Sequence, residues 1–140
     1  MKKPFNNAEQ LFFHFCEAYG ARSLATMLEL FTPNATLIGT VCDEHRIGLK
    51  EIEAQLQRDW SQSEQGAIVI ASFFPSPSSG LWASALCHTT IIIDGQSHHF
   101  ENLRGSIVIE EVEKDWKIAH MHASFPDLRS PKGYSFPQTK

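Results

Sequence analysis

The chain has 140 residues, with Lys+Arg 12 against Asp+Glu 16 and a formal net charge of -4. This is the size of one domain around a single core. Apolar residues at 42% and charged residues at 20% exclude a wholly disordered chain, and the acidic balance excludes a general nucleic-acid binder that relies on surplus Lys and Arg. Asn7 followed by Gln10 reads as a capping box that opens a helix over 7–20. Its apolar stripe is Leu11, Phe12, Phe15, Ala18 and Tyr19, and Gly20 closes it. Ser23 caps a short second helix with Leu24, Met27, Leu28 and Phe31 on one face. Thr32-Pro33-Asn34 ends that helix, because proline disfavours a helical residue before it.

Residues 35–41 form the first expected strand, with Leu37 and Val41 on one face. Asp43-Glu44 turns the chain, and Gly48 precedes a third helix over 49–61. Leu49, Ile52, Leu56 and Trp60 share its apolar face, and Glu53, Gln57 and Arg58 lie mostly on the solvated side. From here the period changes to that of strands. Residues 67–74 are followed by the loop Pro75-Ser76-Pro77-Ser78-Ser79-Gly80, and 81–93 by the hairpin signal Asp94-Gly95. The chain returns over 98–112, turns at Glu113-Lys114-Asp115, and ends its last strand over 116–125. Residues 126–140, rich in proline and without periodicity, are expected as a surface arm. Helices segregated from an antiparallel meander predict an α+β fold, with the long strands curling into a cone around an open hollow.

The basic start Met1-Lys2-Lys3 precedes an apolar stretch interrupted by Glu9, His14 and Glu17. It therefore lacks the clean apolar region of a signal peptide. No apolar run approaches the roughly eighteen residues of a membrane span. Cys16, Cys42 and Cys87 are odd in number and form no C-x-x-C pair. Three unpaired thiols fit a reducing, cytoplasmic location, and all three read as small buried hydrophobes.

Arg104-Gly105-Ser106-Ile107-Val108, a charged turn, and then Trp116-Lys117-Ile118-Ala119-His120-Met121-His122-Ala123-Ser124 resemble the signature of SnoaL-like domains of the nuclear transport factor 2 superfamily. W-x-I-x-H-x-H-x-S is also similar to the association domain of calcium/calmodulin-dependent protein kinase II. Leu30 to Thr36 resembles the superfamily's passage from helix two to the first strand, and Gly48-Leu49-Lys50-Glu51-Ile52 its entry to helix three. The likeness covers about residues 7–125 of a single domain, 1–140. It implies the NTF2-like, cystatin-like cone: three N-terminal helices against a curved, mostly antiparallel sheet. It also implies a homodimer formed through the outer face of that sheet. The ketosteroid isomerases of this superfamily carry a tyrosine on helix one and two aspartates in the cavity. Aligned here, the tyrosine falls on Phe15, the catalytic base on Gly39, and the second acid near Leu103 or Arg104. All three roles are missing, and the Asp-Arg-Asp set of epoxide hydrolases is not visible.

On the last strand, strict alternation places Trp116, Ile118, His120, His122 and Ser124 on one face and Ala119, Met121, Ala123 and Phe125 on the other. The small and apolar odd set is expected to pack on the helices or a partner, and the polar even set to face water, a cavity or hydrogen-bond partners; the resemblance to the kinase association domain implies the cavity. The resemblance matches Arg104 to a pocket arginine and Trp60 to the aromatic at the end of helix three. Ligand-binding candidates are therefore Trp60, His88, Arg104, His120, His122 and Ser124, with Arg104 able to clamp a carboxylate. The alternative is that Arg104 pairs with Glu101 or Glu110 across the sheet. His120-x-His122 with His88 offers a weak metal set, and a hydrogen-bonded histidine ladder is the preferred reading, so neither metal nor cofactor is expected. His98-His99 is expected to be exposed beside the hairpin. Trp82, Phe100, Phe73 and Phe74 are expected in the core or a dimer interface. Two functions follow. One is a self-associating domain that binds a small, partly apolar ligand in the cone. The other is an isomerase, cyclase or dehydratase that uses His120 or His122 as acid or base.

Overall fold

A computed structural model describes residues 5–76 and 79–138. Met1-Lys2-Lys3 and Pro77-Ser78 of the expected loop lie outside these. The elements run α1 (Asn7–Ala21), α2 (Leu24–Glu29), β1 (Phe31–Ile38), β2 (His45–Ile47), α3 (Leu49–Ser61), β3 (Gln65–Phe73), β4 (Trp82–Ile93), β5 (Gln96–Val112) and β6 (Asp115–Ser124). Three helices pack against one six-stranded sheet of order β2-β1-β6-β5-β4-β3. All neighbours are antiparallel except β1 and β6, which run parallel. This is the α+β cone expected from the pattern.

Helix α1 starts at Asn7 as expected, but its cap lies one residue earlier than the sequence suggested. Asn6 is the N-cap: its side chain accepts from the Glu9 amide at 2.8 Å, and Glu9 accepts from the Asn6 amide at 3.0 Å. The reciprocal pair satisfies two amides that the first helical turn leaves free. The helix passes Gly20 and closes at Arg22, which takes a left-handed conformation at φ 55°. The Arg22 guanidinium donates to Trp60 O at 2.6 Å, and to Ser63 O and Oγ at 3.0 and 2.8 Å. This ties the end of α1 to the end of α3. Strand β1 starts at Phe31, earlier than the expected 35–41. Its pairing with β6 is irregular between Phe31 and Thr36, which accommodates Pro33. The three-residue β2 escaped the sequence reading because it is too short to show a period.

Three interruptions of register bend the long strands. β3 slips against β4 between Ile70 and Ser72, β4 against β5 between Cys87 and Thr89, and β5 against β6 between Val108 and Ile109. Each adds an unpaired residue on one strand, which sharpens the local twist and curls the sheet. Asn102 occupies the second with a positive φ of 63°.

The third slip corrects the alternation expected on β6. Val108 faces His120, but Ile109 faces Ile118, so Ala119 is an extra residue on β6. A one-residue insertion moves every later side chain to the opposite face. Ile118 is fully buried and Trp116 packs against the core, whereas beyond Ala119 it is Met121 and Ala123 that point inward. The polar even positions His120, His122 and Ser124 therefore stand on the outer face.

The core lies between the concave face and the helices, around Phe12, Phe15, Met27, Phe31, Ile52, Ile107 and Ile118. A row of small residues crosses that face, with Ala85 opposite Gly105 and Gly105 opposite Ala123. Phe12 lies on this row: a Cβ at Gly105 would come within 2.9 Å of its Cζ. Phe73 meets Phe12 and Phe13 edge-on, so it is part of the helix–sheet packing. Cys16 and Cys87 are buried as expected, but Cys42 is exposed, because it sits in the turn after β1. No described helix is long and apolar enough to cross a membrane. Residues 126–138 form no helix or strand and leave Leu128, Tyr134 and Phe136 exposed.

Candidate functional site

Beyond Phe12 the small-residue row leaves space unfilled. A cavity of about 330 Å³ opens there, between the concave sheet face, α1 and α3. Phe12, Phe15, Leu56, Ile68, Met121 and Ala123 are among its apolar walls. Val41, Phe100 and Phe125, all substantially exposed, mark its outer rim. Phe100 and Phe125 meet there with ring centres 5.8 Å apart. The volume is at the lower end of the roughly 300–1,000 Å³ usual for small-molecule pockets.

One end is polar. Tyr19 on α1 donates its hydroxyl to Asp59 Oδ2 at 2.9 Å, and Gln55 Nε2 donates to Asp59 Oδ1 at 2.7 Å. Burial, and then the Asp59 charge, raise the Tyr19 pKa, so its phenol stays neutral and remains a donor. Glu44 folds back from the turn after β1 so closely that a side chain at Gly39 would collide with its carboxylate. The glycine makes room for the acid, and the Thr40 amide donates to Glu44 Oε2 at 3.0 Å. Burial, followed by the Asp59 charge, raises the Glu44 pKa as well. Two lining residues hold buried oxygens with no hydrogen-bond partner, Gln55 Oε1 and Thr89 Oγ1. A buried polar atom left unpaired costs about 1–3 kcal/mol, and both of these belong to residues of the cavity wall. Cys87 also lines it, but burial pushes its thiol up to about 11. It is therefore not a thiolate nucleophile near neutral pH.

None of the six candidates drawn from the sequence lines this cavity. Arg104 is exposed on the outer face, in register with Leu86 and Ser124, and Ser124 is half-buried beside it. Among the described residues neither Glu101 nor Glu110 pairs with Arg104. His120 shares a hydrogen bond of 2.7 Å with Thr36 Oγ1 across the β1–β6 pairing. His122 is exposed beside Ser106, whose hydroxyl bonds Ser84 at 2.6 Å. His88 is exposed and paired in register with Val69. Trp60 alone is near, half-buried against Tyr19 with ring centres 6.0 Å apart, its indole N–H buried without a partner. The expectation that a guanidinium and imidazoles project into the hollow is thus corrected, and the Ala119 insertion is the reason for β6. No histidine lines the cavity, so acid–base chemistry by His120 or His122 has no footing there. Among the described residues no group of three or more His, Cys, Asp or Glu could hold a metal.

The polar residues that do line the cavity left a trace in the sequence. Ile52, Gln55, Leu56 and Asp59 recur at the three- and four-residue spacing of a buried helix face. Two polar residues at core positions were therefore visible beside the Leu56–Trp60 stripe. Tyr19 sits four residues after Phe15 in the α1 stripe. Glu44 and Thr89 carried no signal, because a turn and a strand register bring them in.

Comparison with curated protein sequences finds no match. Among solved structures, a proposed aromatic ring hydroxylase from Novosphingobium aromaticivorans superposes with a TM-score of 0.73 at 19% identity, covering 85% of this chain and 86% of that one. A proposed calcium/calmodulin-dependent protein kinase II association domain from Xanthomonas campestris gives 0.71 at 19% identity, covering 90% and 97%. A ketosteroid isomerase-like protein from Erwinia carotovora atroseptica gives 0.66 at 14% identity, covering 84% and 92%. At these identities the likeness establishes the fold, which hosts many activities. A family model for the SnoaL-like domain matches residues 8–127, nearly the whole of the described core. The chain belongs to the SnoaL-like domain family.

Proposed function

We propose that this SnoaL-like domain binds a small, predominantly apolar ligand in the cone cavity and self-associates through the outer face of its sheet. The observation that carries the binding reading is the pair of unpartnered oxygens, on Gln55 and Thr89, among the lining of a hollow of about 330 Å³ that is apolar except at one end. A hollow serving only to assemble subunits has no use for unsatisfied polar atoms, whereas a ligand recovers their cost on binding. The outer face supports the second part. Trp82, Val108 and Val69 are 39%, 42% and 59% exposed there, and Trp82 and Val108 are cross-strand partners. Exposed apolar side chains on one sheet face favour an isologous contact with a second copy. We place the domain in the cytoplasm, where its three free thiols stay reduced.

Calorimetric titration with cyclohexylmethanol, a neutral probe that fits the cavity, tests the binding reading. Saturable binding is expected, together with its loss in Ala123→Phe, which fills the hollow. No saturable binding, or binding indifferent to that substitution in a folded protein, overturns it. Sedimentation at micromolar concentration tests self-association. A dimer is expected that Trp82→Glu dissociates, and a species of only 15.8 kDa contradicts it.

A further inference from the structure

We infer that the polar end of the cavity is built for a cation, so that the ligand is an apolar amine bound as its ammonium. This rests on reading the cavity as a ligand site and adds the class of ligand. No lysine, arginine or histidine lines the cavity, and its two charged residues are Glu44 and Asp59. Among the described residues neither is in an ion pair. Both guanidiniums whose charge reaches this end are engaged elsewhere. Arg22 is bound to Trp60 and Ser63. Arg58 is bound to the Asp43 carboxylate through two bonds of 2.8 and 3.1 Å.

Among the residues that line the cavity, the unpartnered polar atoms are both oxygens, whereas the unpartnered indole N–H of Trp60 lies outside the lining. Gln55 is only 4% exposed, and its NH₂ group is committed to Asp59. That bond fixes the amide orientation, since the reverse would set its oxygen against a carboxylate oxygen. The free atom is therefore Oε1, an acceptor. Thr89 is 8% exposed, and its unpartnered hydroxyl accepts as readily as it donates. The Tyr19 proton is spent on Asp59. An anionic ligand would meet two carboxylates and almost no donor. An ammonium brings three donors and a positive charge to a place that offers acceptors and negative charge. Burial first, and the neighbouring Asp59 charge second, raise the Glu44 pKa, and a cation placed between the two carboxylates would relieve the second of these. The expectation of an anionic group held by Arg104 is replaced by its opposite.

Three probes of one shape test this at pH 7: cyclohexylmethylamine, cyclohexylmethanol and cyclohexanecarboxylate, each titrated calorimetrically. The amine, whose pKa near 10 keeps it charged, is expected to bind about tenfold or more tightly than the alcohol, as a charge-assisted hydrogen bond permits. The carboxylate is expected to bind weakest. Glu44→Gln and Asp59→Asn are each expected to remove most of the amine's advantage and leave alcohol binding in place. Asp59 also anchors Tyr19 and Gln55. If its variant does not fold, Glu44→Gln, which keeps an oxygen for the Thr40 amide, decides alone. An amine that binds no better than the alcohol, or an advantage that survives Glu44→Gln, overturns the cation proposal while alcohol binding upholds the ligand site. Binding by none of the three overturns both.

Discussion

Thr89→Val exchanges a buried hydroxyl for a methyl of nearly the same shape on a central strand. Thr89 Oγ1 has no partner in a residue that is 8% exposed. The native protein therefore carries the desolvation cost of a lone hydroxyl, about 1–3 kcal/mol. Valine removes that cost, keeps the β-branch that suits the strand, and adds apolar contact beside Ile68 and Phe100, its register neighbours. The expected result is a gain of about 1 kcal/mol or more. With a urea m-value of about 2 kcal/mol/M, a gain of 1 kcal/mol moves the unfolding midpoint up by about 0.5 M. Circular dichroism through a urea titration reads this, and an unchanged slope shows that the gain belongs to the folded state. Thr89→Ser, which keeps the hydroxyl and loses the methyl, should be destabilised by about 1 kcal/mol. A valine variant that is neutral or less stable than the native protein would show instead that the hydroxyl is satisfied in solution.

Three other outcomes follow from the geometry. Asn6→Ala removes the side-chain half of the α1 capping box, the oxygen that accepts from the Glu9 amide, and should cost about 1 kcal/mol in the same urea assay. Glu44 faces Asp59 and Asp43, which oppose its ionisation, and Arg58 and the Thr40 amide, which favour it; burial tips the balance, and its pKa is raised above the ordinary 4.5. The protonated form thus stabilises the fold at low pH, and that contribution is lost as pH rises through the folded-state pKa. Glu44→Gln should raise the melting temperature at pH 7 and leave it nearly unchanged at pH 4, and an equal shift at both would contradict this. Arg104→Ala, on the outer face, should leave cyclohexylmethanol affinity unchanged in calorimetry, whereas a loss of binding would return Arg104 to the site.

The helices were legible because their apolar stripes recur over several turns, and their error was local. The capping residue of α1 is Asn6 rather than Asn7, since two adjacent asparagines offer the same chemistry and only the partner, Glu9 or Gln10, distinguishes them. The site was less legible, for one physical reason. Strand faces are read by counting in twos, and a single inserted residue reverses the count. At Ala119 that insertion sends Ile118 inward and His120 outward, and nothing in the residue itself announces it. The helix-three polar positions were open to inspection. Gln55 and Asp59 lie on the buried face with Ile52 and Leu56, and a polar residue at a core position is more informative than one on an ambiguous strand.

The central claim is that the functional face of this domain is the concave one. Methyl-resolved NMR during titration with cyclohexylmethanol tests it most directly. Resonances of Ile68, Ile91, Leu103, Met121 and Ala123, which line the cavity, should shift and saturate together, while Val69 and Val108 on the outer face stay still. Saturating shifts confined to Val69 and Val108, with the cavity methyls unmoved, would contradict the account.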